Sequence, residues 1–122
     1  MTKFTRARFV LAVPNLAASK DFYTRVLGFE EEAIRAEGWA FLSRDAVHLM
    51  LGECPDALPV VTLGEHGNFA HILVDDIRSL YDRVREAGGL ILAELTDKPW
   101  GLTEFSLQTI DGHRIVFGEP TA

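Results

Sequence analysis

Apolar residues recur along this chain with two different periods. Val47, Leu49 and Leu51 mark every second position of one stretch, as do Ala70, Ile72 and Val74, then Phe105 and Leu107, then Ile115 and Phe117. A period of two gathers such residues on one face of a strand and their neighbours on the other. Elsewhere the period lengthens. Ile77, Leu80, Tyr81 and Val84 fall at i, i+3, i+4 and i+7, and Leu16, Ser19, Phe22 with Tyr23, and Val26 trace a similar stripe. Both stripes predict amphipathic helices. Asn15 precedes the first, and Asp75 or Asp76 the second, as N-caps; Gly28 and the pair Gly88–Gly89 read as stops.

The two halves repeat one another. RFVLAVPNLAASKDFYTRVLGF (8–29) superposes on FAHILVDDIRSLYDRVREAGGL (69–90) at an offset of 61, and SRDAVHLML (43–51) on TIDGHRIVF (109–117) at an offset of 66. Each unit reads β-α-β-β-β. Strands are expected at 7–13, 29–36, 38–43 and 46–52, and again at 68–75, 90–96, 102–109 and 113–118. The prolines and glycines of ECPDALPVVTLGEHG make it a linker. The expectation is one α+β domain over residues 1–122, with repeat one at about 7–52, linker 53–67 and repeat two at about 68–118. The charged run EEEAIRAE (30–37) reads as a solvated edge strand.

Composition narrows function mainly by exclusion. Eighteen acidic against twelve basic residues give a net charge of −6, which argues against nucleic acid, whose phosphates require basic patches. The same field is mildly favourable to a cationic guest. A lone cysteine, Cys54, cannot form an intrachain disulfide, so a cytoplasmic location is expected. RARFVLAVPNLAAS loosely resembles a leader, but Pro14 and Asn15 interrupt its apolar run, and it reads as a strand and turn of the domain. No run is long enough to span a membrane.

Three stretches together resemble one family. They are VPNLAASKDFYTRVLGF, containing L-x-x-S-x-x-F-Y-x-x-x-L-G-F, then VDDIRSLYDRVREAGG, then EFSLQTIDGHRIVFGEP. They resemble the vicinal oxygen chelate superfamily of glyoxalase I, extradiol dioxygenases, fosfomycin resistance enzymes and bleomycin resistance proteins. That resemblance spans the chain. It implies two tandem βαβββ units whose curved mixed sheets carry helices on their convex faces and enclose a cavity. It also implies a homodimer, domain-swapped, with each pocket shared between subunits. The superfamily's enzymes hold a divalent ion at four strand positions that match Arg8, Met50, Phe69 and Val116 here, and none of these is a plausible ligand. The resemblance is nearest to the bleomycin resistance type, which sequesters a drug unchanged and needs no cofactor.

Strand alternation then sorts the side chains. With Leu11 and Val13, and also Phe9, turned to the helices, Arg8, Val10 and Ala12 face the cavity; so do His48 and Met50, Phe69, His71 and Leu73, Glu104, Ser106 and Gln108, and Arg114 and Val116. Trp39, Phe41, Met50, Phe69 and Trp100 are the expected contact area for an aromatic guest, and His48, His71, Glu104, Ser106 and Gln108 the expected polar contacts. Trp100, in the surface loop K-P-W-G, is expected to meet both ligand and partner chain. Arg8 either meets an anionic group or pairs with Glu104, and His66 and His113 are expected in solvent. The expected function is metal-independent sequestration of an aromatic, possibly cationic antibiotic such as a bleomycin-type compound. The alternative is a metal-dependent or cofactorless lyase, isomerase or dioxygenase using His48, His71 or Glu104. No catalytic residue and no metal ligand is assigned.

Overall fold

Capping by side chains from the far end of each repeat starts both helices. In the computed structural model, which describes residues 1–121, β1 (Phe9–Val13) leads into α1 (Leu16–Arg25). The Asn15 side chain accepts from the Ala18 N–H, and Glu53, at the end of β4 (Val47–Glu53), accepts from the Leu16 N–H at 2.9 Å. The second repeat does the same. Asp76 accepts from the Ser79 N–H ahead of α2 (Ile77–Glu86), while Glu119, on β8 (Arg114–Pro120), accepts from the Asp76 and Ile77 N–H groups at 2.8 and 3.1 Å. Carboxylates there satisfy orphan donors and complement the helix dipole.

The strands form two four-stranded mixed sheets. The first runs β1-β4-β3-β2, with β2 Glu30–Glu31 and β3 Trp39–Arg44; the second runs β5-β8-β7-β6, with β5 Asn68–Leu73, β6 Leu90–Asp97 and β7 Leu102–Gln108. The first strand of each unit pairs in parallel with the last, and the other pairings are antiparallel. This is the tandem βαβββ plan read from the repeat. The clearest departure is β2, two residues long against the expected 29–36. After the Glu32 N–H reaches the Phe41 carbonyl, the chain leaves the ladder and returns through Gly38, whose φ of 80° makes the turn, closing only an Ala36–Trp39 bridge.

The helix-facing sides of both sheets share one core. Leu11, Val13, Leu42, Leu49 and Leu51 meet Phe22, Tyr23 and Val26; Phe105, Leu107, Ile115 and Phe117 meet Ile77, Leu80, Tyr81 and Val84. The opposite faces stay open, and that leaves room for a site. Two expectations fail at the core's margin. Phe9 is exposed instead of facing a helix, its ring edge-on to Phe69 at 5.6 Å, at the point where β1 begins and β5 is bulged between Asn68 and Ala70. His113, expected in solvent, is only 6% exposed, its ring edge-on to Phe69 at 5.7 Å. Nearby, the Ser19 hydroxyl donates to Asp111 across 2.8 Å, tying α1 to the turn between β7 and β8. Among the described residues no helix is long and apolar enough to cross a membrane.

Candidate ligand-binding site

Strand registers turn the two open faces into unlike walls. On the first sheet Trp39 pairs with Gly52, Phe41 with Met50 and Ser43 with His48, alternating with buried Ala40, Leu42, Leu49 and Leu51. On the second, Glu104 pairs with Gly118, Ser106 with Val116 and Gln108 with Arg114, alternating with buried Phe105 and Leu107. Gly52 and Gly118 are 66 residues apart, the offset of the sequence repeat. Trp39, Phe41 and Ser43 therefore occupy the same places in one repeat as Glu104, Ser106 and Gln108 in the other. One wall is aromatic and the other hydrogen-bonding.

Trp39 lies flat over its neighbour strand. A β-carbon added at Gly52 would stand 2.9 Å from Cζ3 and Cη2 of the indole, so the glycine is the seat on which the ring rests. Above it sits an ion pair that sequence reading missed. Arg8 donates to both oxygens of Glu32, at 2.8 and 2.9 Å, and its guanidinium carbon stands 5.3 Å from the Phe41 ring centre. His48 Nδ1 is 3.6 Å from Glu32 Oε2. The hydrogen bonds from Arg8 hold the Glu32 carboxyl down at about 2 against the opposing effect of desolvation, with the Arg8 and His48 charges assisting. Arg8 thus pairs with Glu32 and not with Glu104. Glu32 is likewise no solvated edge residue, and the alternation of Glu30, Glu31 and Glu32 against β3 was the signal that could have placed it.

The second wall centres on Glu104, only 8% exposed. Its Oε2 receives His71 Nε2 at 2.8 Å and the Trp100 indole N–H at 3.2 Å. Gly118 makes this possible, since a β-carbon there would stand 3.2 Å from His71 Cε1 and 3.5 Å from Glu104 Cγ. Burial pushes the Glu104 carboxyl upward, but the hydrogen bonds from His71 and Trp100, with the nearby Lys98 charge, prevail, and the net direction is down. Trp100 is 63% exposed and is held at the rim by a tight turn. Gly101 at φ 88° donates to the Lys98 carbonyl, and Thr121 N–H donates to that of Gly101. Lys98 Nζ covers the indole from 5.8 Å.

Sequence-selected residues Trp39, Phe41, His48, Met50, His71, Glu104, Ser106 and Gln108 all fall on these two faces, and Trp100 on the rim. Phe69 does not alternate with them. At the bulge it packs against the core, between Phe9 and His113.

This pair of half-cups belongs to a known family. Residues 5–117 match the Glyoxalase/Bleomycin resistance protein/Dioxygenase superfamily. The chain belongs to that superfamily. Its fold is shared with TioX from Micromonospora sp. ML1, at 26% identity over 93% of this chain and 98% of that one, with a TM-score of 0.73. It is shared also with TnmS3, an antibiotic binding protein from Streptomyces sp. CB03234, at 22% identity over 98% of each chain and a TM-score of 0.78. A glyoxalase/bleomycin resistance protein/dioxygenase from Nocardioides matches at 20% identity over 98% of this chain and 85% of that one, with a TM-score of 0.74. No curated protein matches the sequence.

The metal that many members of the superfamily use does not fit these residues. The four strand positions that would hold it carry a guanidinium, a thioether, a phenyl ring and an isopropyl group (Arg8, Met50, Phe69 and Val116), none a hard or borderline donor for such an ion. Among the described residues no three His, Cys, Asp or Glu side chains gather closely enough to hold a metal. A cavity of about 180 Å³ does exist in the single chain, lined by Leu27, Phe29, Val47, Ile72, Leu80 and Phe117 among others, but it lies on the helix side and, apart from Leu73, includes none of the residues of the open faces.

Proposed function

We propose that this protein is a metal-independent, homodimeric small-molecule binder that sequesters an aromatic natural product of the antibiotic type. The observation that carries the reading is the aromatic wall, Trp39 seated on Gly52 beside Phe41, set against the hydrogen-bonding wall of Glu104, Ser106 and Gln108. An aromatic face and a few convergent polar groups are the usual lining of a small-molecule site. Sequestration needs ground-state affinity only, and rings that stack contribute it without any reacting group. The dimer is supported by apolar side chains left exposed on the open faces, Val10 and Leu73 as well as both tryptophans. Those half-cups would be closed by a second copy. TnmS3 is an antibiotic binding protein with the same fold; at that identity the likeness concerns fold, and the wall residues bear the functional argument.

Incubating the dimer with bleomycin-type and other aromatic antibiotics and following the melting temperature tests this directly. A stabilising compound should be recovered chemically intact after prolonged incubation. A modified product formed at more than one equivalent per site would refute sequestration and favour the second reading, a cofactorless lyase or isomerase. One observation supports that alternative: a histidine backed by a buried carboxylate, His71 on Glu104, is the arrangement of a general base.

A further inference from the structure

Both carboxylates that the walls present to a guest are already answered within the chain. Glu32 takes both arms of Arg8, and Glu104 takes two donors, His71 and Trp100. Even the face of Trp100 that a cation would favour is covered by Lys98. The acidic field that suggests a cationic guest from composition is therefore neutralised where the guest sits. Of the two wall histidines, His48 has its unpartnered Nδ1 buried, whereas His71 keeps an unpartnered ring nitrogen on an exposed side chain. An ionised carboxylate can only accept hydrogen bonds, so the His71 nitrogen 2.8 Å from Glu104, Nε2, carries a proton. In the neutral imidazole the lone pair is then on Nδ1, and among the described residues Nδ1 makes no hydrogen bond. Val10, which holds the matching place in the first repeat, has no polar atom on its side chain, so this acceptor belongs to one wall alone.

We propose that the guest is a planar aromatic molecule without a positive charge that bears a hydrogen-bond donor, a phenol hydroxyl or ring N–H; it lies on the Trp39 indole and donates that hydrogen bond to His71 Nδ1. This rests on the binding function proposed above, in which the two walls meet across one cup. Glu104 is then a positioning residue: it fixes the tautomer and orientation of His71 and ties the Trp100 indole to the same oxygen. Gly118 is the space that lets His71 lean across β8 to reach it.

Three tricyclic probes of nearly equal area separate the possibilities, namely 9-phenanthrol, 9-methoxyphenanthrene and 5-methylphenanthridinium, titrated by tryptophan quenching and calorimetry. The phenol should bind about tenfold more tightly than its methyl ether, the worth of one hydrogen bond to an otherwise unpaired acceptor. His71→Leu should bring that ratio to near one, whereas Trp39→Ala should weaken both probes together and keep the ratio. Nitrogen-15 shifts of His71 in the unmodified protein should report a protonated Nε2 and an unprotonated Nδ1, a readout independent of any variant's folding. Equal binding of phenol and ether, or tightest binding of the methylphenanthridinium ion, would overturn the proposal and leave aromatic binding standing. Failure of all three to bind would overturn the aromatic cup itself.

Discussion

Replacing Gly52 with alanine tests whether the Trp39 indole is a working surface of the cup. The new β-carbon would stand 2.9 Å from two ring carbons, well inside ordinary carbon–carbon contact of about 3.5–4.0 Å. Gly52 is not among the glycines with positive φ, so the backbone itself accepts alanine. Alanine in a strand interior is favoured over glycine by about 0.5–1 kcal/mol. The indole is 41% exposed and can tip outward, which relieves the crowding at the site and spares the core. These effects oppose one another, and the net change in stability is within about 1 kcal/mol, or a few degrees in melting temperature.

Binding responds more strongly. A half-exposed indole offers a guest on the order of 100 Å², and covering it contributes about 2.5 kcal/mol at about 25 cal/mol per Å². Stacking adds about 0.5–1.5 kcal/mol. A ring tipped off its seat retains about half of that contact, so Gly52→Ala should weaken an aromatic guest roughly 10- to 30-fold. With Trp100→Phe as background, Trp39 is the sole remaining tryptophan, and its emission reports the tilt directly. Wild-type affinity together with a shifted Trp39 emission would refute the argument, because the indole would then have moved without the guest noticing. A melting temperature lowered by more than about ten degrees would assign the ring to the core instead.

Two further outcomes follow from the charged groups. Because Arg8 holds the Glu32 carboxyl down at about 2, the pair's contribution to stability is present above the ordinary carboxylate range and is lost as pH falls from about 4 toward 2. Arg8→Leu should flatten that acid limb in thermal unfolding and, by freeing a carboxylate on the aromatic wall, raise the affinity for 5-methylphenanthridinium; no gain for the cation would show that Glu32 does not face the guest. Burial holds the His113 imidazole below its ordinary value of 6.5, with Asp111 opposing in part. The unfolded chain therefore takes up a proton first, and stability should fall as pH drops through about 6.5. His113→Phe should remove that slope between about pH 7.5 and 5, and a slope unchanged in the variant would place the titration elsewhere.

Periodicity revealed what depends on burial. Alternation put Leu49, Leu51, Phe105, Leu107, Ile115 and Phe117 on the core side and their neighbours on the open side, because a strand with one buried face has only one acceptable register. Helix starts were legible for a similar reason, since Asn15 and Asp76 cap through local bonds. What was not legible involves contacts between distant residues or breaks in the period. The bulge at the start of β5 removes Phe69 from the cup face, and no local spacing announces it. Glu32 owes its position to Arg8, 24 residues away. His113 sits in a D-G-H turn that looks solvated until Phe69 is laid on its ring.

The internal repeat separates structural from functional residues within a single chain. Where both copies carry the same residue, that residue does the same mechanical work in each. Glu53 and Glu119 cap the helices, and Gly52 and Gly118 make room on the last strand for a neighbouring side chain. Where the copies differ at one register position, no packing requirement explains the difference, because the flanking core residues stay apolar in both. Trp39 against Glu104, Phe41 against Ser106 and Val10 against His71 are such positions, and all lie on the open faces. Two copies of one unit would enclose a symmetric cup suited to a symmetric guest. Substitutions in the cup-facing rows leave the fold's two-fold plan intact while making its interior one-sided, aromatic on one wall and hydrogen-bonding on the other. A guest held there must itself be two-sided, with a flat face and a polar edge, and that requirement limits it more narrowly than the superfamily's fold does.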